Sequence, residues 1–459
     1  MPSFDLIVKN GKVISSGELH AVDICISEGK IAAIEKIGSG HAARIIDANG
    51  LLVLPGLIDP HVHFRDPGFT EKEDFESGTK GAAAGGTTTV FDMPNTNPVV
   101  TTPSVFRDKV DKVQPKAVVN FGLVAAASHE NLEELTELAE SGAIAFKTFM
   151  VSPPIEREKE YAGSFVTNSG QLYEVMKEVR KTELVHCIHA ENDALIFSLT
   201  KELRSTGRKD PLVHFDSRPN FVEADAVYEA LLVAEVLRSK LHLVHLSTSE
   251  GVQLLAHFKN RNVDVSAETC PQYLTFTKEI LEEKGPDGKF NPPARNEADS
   301  LELLNGLKSG LIEMVSTDHA PHLKKEKQLG WEDIFKAPSG TPGVETRLPI
   351  LLKMVHEGSL SMFDIPKITA EAAARRFGLY PRKGVLQVES DADLALVDYD
   401  QTWKIRASEL QTKSWETVLY DGMEVSGKVK FTILKGEIAF EEGVGFGKTG
   451  KGEFLRPNY

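Results

Sequence analysis

The sequence predicts an α/β fold: a (β/α)8 barrel of the TIM type, joined to a small β-sandwich domain that both termini build together. Three observations lead there. Helical and strand-like segments alternate through the middle of the chain, both ends are strand-rich, and metal-loving side chains recur at the carboxyl ends of five predicted strands.

Residues 1–54 read as short strands and turns. They include Leu6-Ile-Val-Lys-Asn-Gly-Lys-Val-Ile and Asp23-Ile-Cys-Ile-Ser-Glu-Gly-Lys-Ile, with Asn10-Gly11 and Glu28-Gly29 as hairpin turns. Residues 55–380 carry the alternation. A helix over 131–140, with Leu132, Leu135 and Leu138 at helical spacing, precedes a strand over 143–150. Helices over 172–181, 224–239, 252–259 and 301–308 precede strands over 183–189, 241–246, 263–268 and 311–319. Repeated helix-then-strand units imply a parallel sheet covered by helices, and over such a length a closed barrel is favoured. No G-x-G-x-x-G or Walker motif supports an open doubly wound sheet. Residues 381–459 return to strands, at 392–398 and 429–440, and are expected to complete the β domain begun by the first 54.

Composition narrows the function. A chain of 459 residues with 41% hydrophobic and 26% charged residues has the balance of a globular protein. A formal charge of −15 argues against sequence-independent binding to nucleic acid, and an anionic substrate would need dedicated local cations. Cys25, Cys187 and Cys270 form no C-x-x-C pair and no disulfide framework, so a reducing cytoplasm is expected. The start lacks a signal-peptide layout, and the most apolar stretch, 51–58, is broken by Pro55 and Gly56 and too short to span a bilayer.

The chemistry lies in the strand ends. His61 and His63 follow the apolar run 51–58; Lys147, His189, His245 and Asp318 each end a predicted strand. One histidine alone reads more simply as a half-buried structural residue. Six such groups in register across five strands are much harder to obtain by chance. His61 and His63, two apart, face the same side of an extended chain and suit one cation. Imidazole and carboxylate together fit Zn2+, with Mn2+, Co2+ or Fe2+ also compatible. A divalent cation brings a bound water toward neutral pKa, and Asp318 is placed to take its proton and return it to a leaving nitrogen. A protonated lysine is a poor ligand, so Lys147 must be modified or recruited for another task.

The motifs Asp59-Pro-His-Val-His-Phe-Arg-Asp-Pro-Gly, Met93-Pro-Asn-Thr-Asn-Pro, His189-Ala-Glu-Asn, His245-Leu-Ser-Thr, Asn291-Pro-Pro-Ala-Arg and Thr317-Asp-His-Ala-Pro-His resemble those of the cyclic amidohydrolases: dihydroorotase, allantoinase and hydantoinase. The resemblance runs along nearly the whole chain. It implies two divalent metal ions bridged by a carboxylated Lys147, with His61, His63 and Asp318 on one metal and His189 and His245 on the other. It further implies a small cyclic amide as substrate, a homo-oligomeric state, and no nucleic-acid or membrane partner.

Within the family, Arg65, Asn95 and His322 resemble the residues with which dihydroorotases hold a substrate carboxylate, for which a guanidinium is apt. Asn291-Pro-Pro-Ala-Arg adds Asn291 to the substrate contacts, and dihydroorotase, with its place in pyrimidine biosynthesis, is the first expectation. Allantoinase is the alternative, with hydantoinase or dihydropyrimidinase third. Phe146-Lys-Thr-Phe-Met and Glu268-Thr-Cys-Pro-Gln-Tyr-Leu are closer to those two, although the tyrosine that hydantoinases carry shortly after the lysine is absent from Val151-Ser-Pro-Pro. A non-enzymatic scaffold relative would have lost ligands, and all six are present.

His186, His214, His242, Cys187 and His319 are expected to be structural, and Arg295 either a substrate contact or a rim ion pair. The run Lys324-Lys-Glu-Lys reads as a solvated face. Residues 151–170 read as a lid or a plain surface loop.

Overall fold

The computed structural model describes residues 3–15, 17–36, 41–154 and 157–458. Five strands open the chain: β1 (Ser3–Ser15), β2 (Glu18–Ser27), β3 (Lys30–Glu35), β4 (His41–Asp47) and β5 (Leu52–Pro55). Eight follow in the middle: β6 (Leu57–Val62), β7 (Thr87–Asp92), β8 (Asn120–Ala126), β9 (Ala145–Phe149), β10 (His186–His189), β11 (Leu241–Leu243), β12 (Val265–Thr269) and β13 (Met314–Val315). Four close it: β14 (Leu394–Lys404), β15 (Glu424–Leu434), β16 (Glu437–Glu441) and β17 (Gly445–Phe446).

The middle eight form one sheet in sequence order, β6 to β13, each strand parallel to the next. The ring closes where the chain beyond β13 returns to β6: Val62 bridges His319, and the His63 amide donates to the His319 carbonyl at 2.8 Å. This is the expected barrel. Its strands are buried along their whole lengths because helices cover the outside. The helix Ser169–Lys181 shows how. Asn168 caps it by accepting from the Gln171 amide, and Leu172, Val175, Met176 and Val179 recur at helical spacing and pack inward. Each such aliphatic side chain contributes about 1.5–3 kcal/mol by leaving water.

The other sheet joins the two ends of the chain in the order β17-β16-β15-β14-β5-β1-β2-β3, with β4 branching from β1. Strand β5 is the join: it lies parallel to β1 and antiparallel to β14, then runs through Gly56 into the first barrel strand. Only glycine fits there, since a Cβ would lie 2.2 Å from the Thr88 hydroxyl oxygen. Leu6, Val8, Ile24, Ile26, Val53, Leu394 and Ile433 form this sheet's core.

Three local expectations change. Glu28-Gly29 is a hairpin turn with both residues at positive φ, but Asn10-Gly11 is not: β1 runs through it as a bulge, and the Asn10 amide donates to Asp23. The last barrel strand is only Met314–Val315, and the chain beyond it enters the left-handed region at Asp318 (φ 46°). The run 324–327 is a solvated face only in part: Lys325 is exposed, but Lys327 is fully buried, donates to the Lys289 carbonyl at 2.7 Å, and is pushed by burial down to about 7. No helix among the described residues is long and apolar enough to cross a membrane. All three cysteines are buried and unpaired with one another.

Candidate active site

The carboxyl ends of the barrel strands bring the six expected metal ligands into one region. His61 comes from β6, with His63 just beyond it; Lys147 lies within β9, His189 ends β10, and His245 and Asp318 follow β11 and β13. All are buried. One Asp318 oxygen stands 3.4 Å from His61 Nε2 and 3.2 Å from His63 Nε2, a grouping able to hold a metal ion. His189 Nδ1 and His245 Nε2 approach to 2.9 Å, and the His61 ring stacks on His245 at 5.4 Å. His245 and Asp318 both have positive φ, a strained conformation for residues with a Cβ and one that gathers at functional sites.

The electrostatics fit a cation site. Burial pushes His63 down to about 3 and holds His189 and His245 low as well, so these imidazoles stay neutral and keep lone pairs to share. Burial acts to raise Asp318, but His61 and His63 hold its carboxyl below the usual range. Lys147 Nζ is buried without a hydrogen-bond partner, 4.8 Å from the Phe149 ring centroid, and burial pushes it down to about 8. His63 Nδ1 and His245 Nδ1 are also without partners. Polar atoms left buried and unpaired cost about 1–3 kcal/mol each. Four imidazoles, a carboxylate and a buried amine are a donor set that divalent transition metals would satisfy.

Two carboxylates orient this set. Glu268, on β12, accepts from His61 Nδ1 at 2.6 Å and meets His242 Nε2 at 3.1 Å. Burial acts to raise it, yet the two histidines hold it well below the usual range. A carboxylate behind an imidazole fixes its tautomer and makes it a better ligand. Glu191 does the same for His189 at 2.8 Å and pairs with Arg218 at 2.6 Å. The expectation that His242 is structural needs refining, since it supports Glu268, which supports His61.

A pocket opens over the ligands. Its wall includes His61, His63, His189, His245 and Asp318, the guanidinium-bearing Arg65, Arg157 and Arg218, and Phe149, Tyr161 and Asn291. Of the residues expected to touch substrate, Arg65 and Asn291 face the pocket, and Asn291 Oδ1 is unpaired. Asn95 and His322 stand behind it: Asn95 donates to the Glu160 carbonyl at 2.9 Å, and His322 meets Arg65 at 3.4 Å and the Ser339 carbonyl at 3.1 Å.

Segment 151–170 contributes Val151, Ser152, Pro154, Arg157 and Tyr161 to the wall; residues 155 and 156 lie outside the described residues. Tyr161 lines the pocket from well beyond Lys147, although no tyrosine follows the lysine closely in sequence. Arg295 is an internal ion pair, bonded to Glu223, Ser247 and the Arg218 carbonyl. His319 accepts from two backbone amides, and His186 contacts Thr148.

Comparison with known proteins agrees with this geometry. The model of the amidohydrolase family matches residues 52–439. An L-hydantoinase of Paenarthrobacter aurescens is 36% identical over 99% of this chain and 99% of its own. A dihydroorotase of Methanosarcina acetivorans is 36% identical over 98% and 95%, and bacterial allantoinases match at 34–37%. The solved L-hydantoinase (dihydropyrimidinase) from Arthrobacter aurescens superposes with a TM-score of 0.94 at 35% identity, covering 99% of this chain and 100% of that one.

Proposed function

The chain belongs to the amidohydrolase family, and from that premise we propose that it hydrolyses an uncharged cyclic amide of the hydantoin and dihydropyrimidine class with the help of two divalent metal ions. The observation that carries the reading is the convergence of five buried ligands on one pocket, with the unpartnered amine of Lys147 beside them.

The first expectation, dihydroorotate as substrate, gives way here. The hydantoinase likeness in both sequence and structure does not favour it. Two of the three residues expected to bind its carboxylate, Asn95 and His322, bond to protein groups behind the pocket wall. Allantoin, also uncharged, stays within the proposed class.

His61, His63 and Asp318 would hold one ion and His189 and His245 the other, with Lys147 bridging them as its carboxylate derivative. A neutral lysine amine is the form that takes up carbon dioxide, and burial favours that form in Lys147. Imidazole-rich ligation suits Zn2+. Such ions supply a polarised carbonyl and a water acidic enough to attack at neutral pH.

The protein's own residues do the rest. Asp318, kept ionised by its histidine neighbours, accepts a proton on its carboxylate and delivers it to the ring nitrogen as the amide bond opens. Glu268 and Glu191 fix the imidazoles on which the site depends. Tyr161, Asn291 and Arg65 offer hydrogen bonds to the ring's carbonyl and N–H groups.

An activity panel on metal-replete protein tests this: hydantoin, dihydrouracil, allantoin and dihydroorotate, with metal content measured alongside. Turnover of an uncharged ring ahead of dihydroorotate is expected. No turnover of any cyclic amide, or protein that binds no metal, would remove the reading.

A further inference from the structure

The pocket wall carries three guanidinium groups, an unusual density of positive charge for a site that is to take an uncharged ring. Each has a buried carboxylate partner within the protein. Arg218 is held by Glu191 at 2.6 Å. Arg157 grips Glu160 with both Nε, at 3.1 Å, and Nη2, and Arg65 Nη1 lies 3.6 Å from the same carboxylate. Lys72 adds a third cation to Glu160 at 3.4 Å.

Glu160 is 4% exposed and does not itself reach the pocket wall; it stands behind the guanidiniums. Its backbone is fixed too, since the carbonyl accepts from Asn95. Burial acts to raise its carboxyl, but Arg157, Arg65 and Lys72 hold it down at about 2, so it is a permanent negative charge.

We propose that Glu160 determines which substrate charge the pocket accepts: by compensating Arg65 and Arg157 from inside the protein, it favours an uncharged ring and disfavours one bearing a carboxylate. This rests on the function proposed above and names the residue that sets its specificity. The physical argument is charge balance among buried groups. A buried guanidinium without a counter-ion is strongly destabilised, so it attracts any anion that reaches it. Glu160 supplies that counter-ion permanently. Arg65 Nε and Nη1 are buried and make no hydrogen bond, and Nη1 is held near Glu160 by charge alone at 3.6 Å. A substrate carboxylate would share cations that Glu160 already holds, and would meet its repulsion.

Dihydrouracil and dihydroorotate test this, because they share the ring and the scissile amide and differ by one carboxylate. The measurement is kcat/KM for each, on metal-loaded wild type and on Glu160→Gln, which keeps the side-chain shape and the backbone carbonyl. We expect wild type to prefer dihydrouracil, and the substitution to raise the dihydroorotate-to-dihydrouracil ratio by about tenfold or more. A ratio that moves by less than about twofold, or wild type that already prefers dihydroorotate, overturns the proposal. Should Glu160→Gln fail to fold, wild type decides through two planar inhibitors, uracil and orotate. Uracil is expected to inhibit at least as tightly, and orotate tighter by about tenfold overturns the proposal. Turnover of dihydrouracil with an unmoved ratio removes only this inference. Absence of turnover on any cyclic amide removes the parent reading and the inference together.

Discussion

Strand β6 of the barrel is buried along its whole length although it carries Asp59 and His61, whereas strand β2 of the terminal sheet is exposed over its first four residues. The terminal sheet follows the ordinary rule, aliphatic residues inward and polar residues in water, and its core is Leu, Ile and Val. At the carboxyl end of the barrel that rule is broken repeatedly: imidazoles, an amine and carboxylates are buried, and Lys147 Nζ, His63 Nδ1 and His245 Nδ1 have no partner. Buried polar atoms without partners destabilise a fold, and a cluster of them marks a place where a bound metal or substrate would satisfy them. The contrast separates the part of the chain that holds the molecule together from the part that does chemistry.

Substitutions should reveal the same division. The largest effect is expected at Lys147→Ala, which should lose both bound metal and turnover, with partial recovery when short carboxylic acids are added. Full metal content by elemental analysis, with full activity, would show that the barrel amine is only a packing residue. Next comes Asp318→Asn, expected to lower kcat by about a hundredfold to ten-thousandfold while metal stays bound; a loss below about tenfold would point to another base. Glu268→Gln should weaken metal affinity by about 10–100-fold through a loosened His61, measured by competition with a chelator. In the terminal sheet, Ile24→Ala should cost about 2–5 kcal/mol of stability in denaturant titrations. Its effect on kcat of the metal-loaded enzyme should be the smallest of the four. A fall in kcat at Ile24→Ala that matched Glu268→Gln would erase the distinction between the two regions.

The sequence discloses one side of this contrast better than the other. Histidines two apart after an apolar run, and single His, Lys and Asp residues ending strand-like segments, are legible because strand period and strand end fix where they point. Glu160, Arg157 and Arg218 carry no such mark. Arg157 and Glu160 fall in segment 151–170, which reads as a lid or a plain surface loop, and only the fold brings Glu160 to Arg65 and Lys72. Lys327 is hidden from the sequence for the same reason, since its bond to the Lys289 carbonyl depends on tertiary packing. Asn10-Gly11 has the composition of a turn, but strand pairing on both sides turns it into a bulge. Glu268 stands in a recognisable motif, yet its place behind His61 depends on the order of strands around the ring.

The join at β5 has a consequence for how the molecule is made. Its partners are β1, close behind it, and β14, which begins at Leu394, nearly 340 residues after Pro55. At about 5–20 residues per second, a ribosome needs about 17–70 s to deliver that second partner. Through that interval the nascent N-terminal strands offer an open edge on which another chain could pair. Newly made chains are therefore most exposed to aggregation while the catalytic barrel is still emerging, and a chaperone that covers β5 during synthesis should raise the yield of soluble protein more than one added after release.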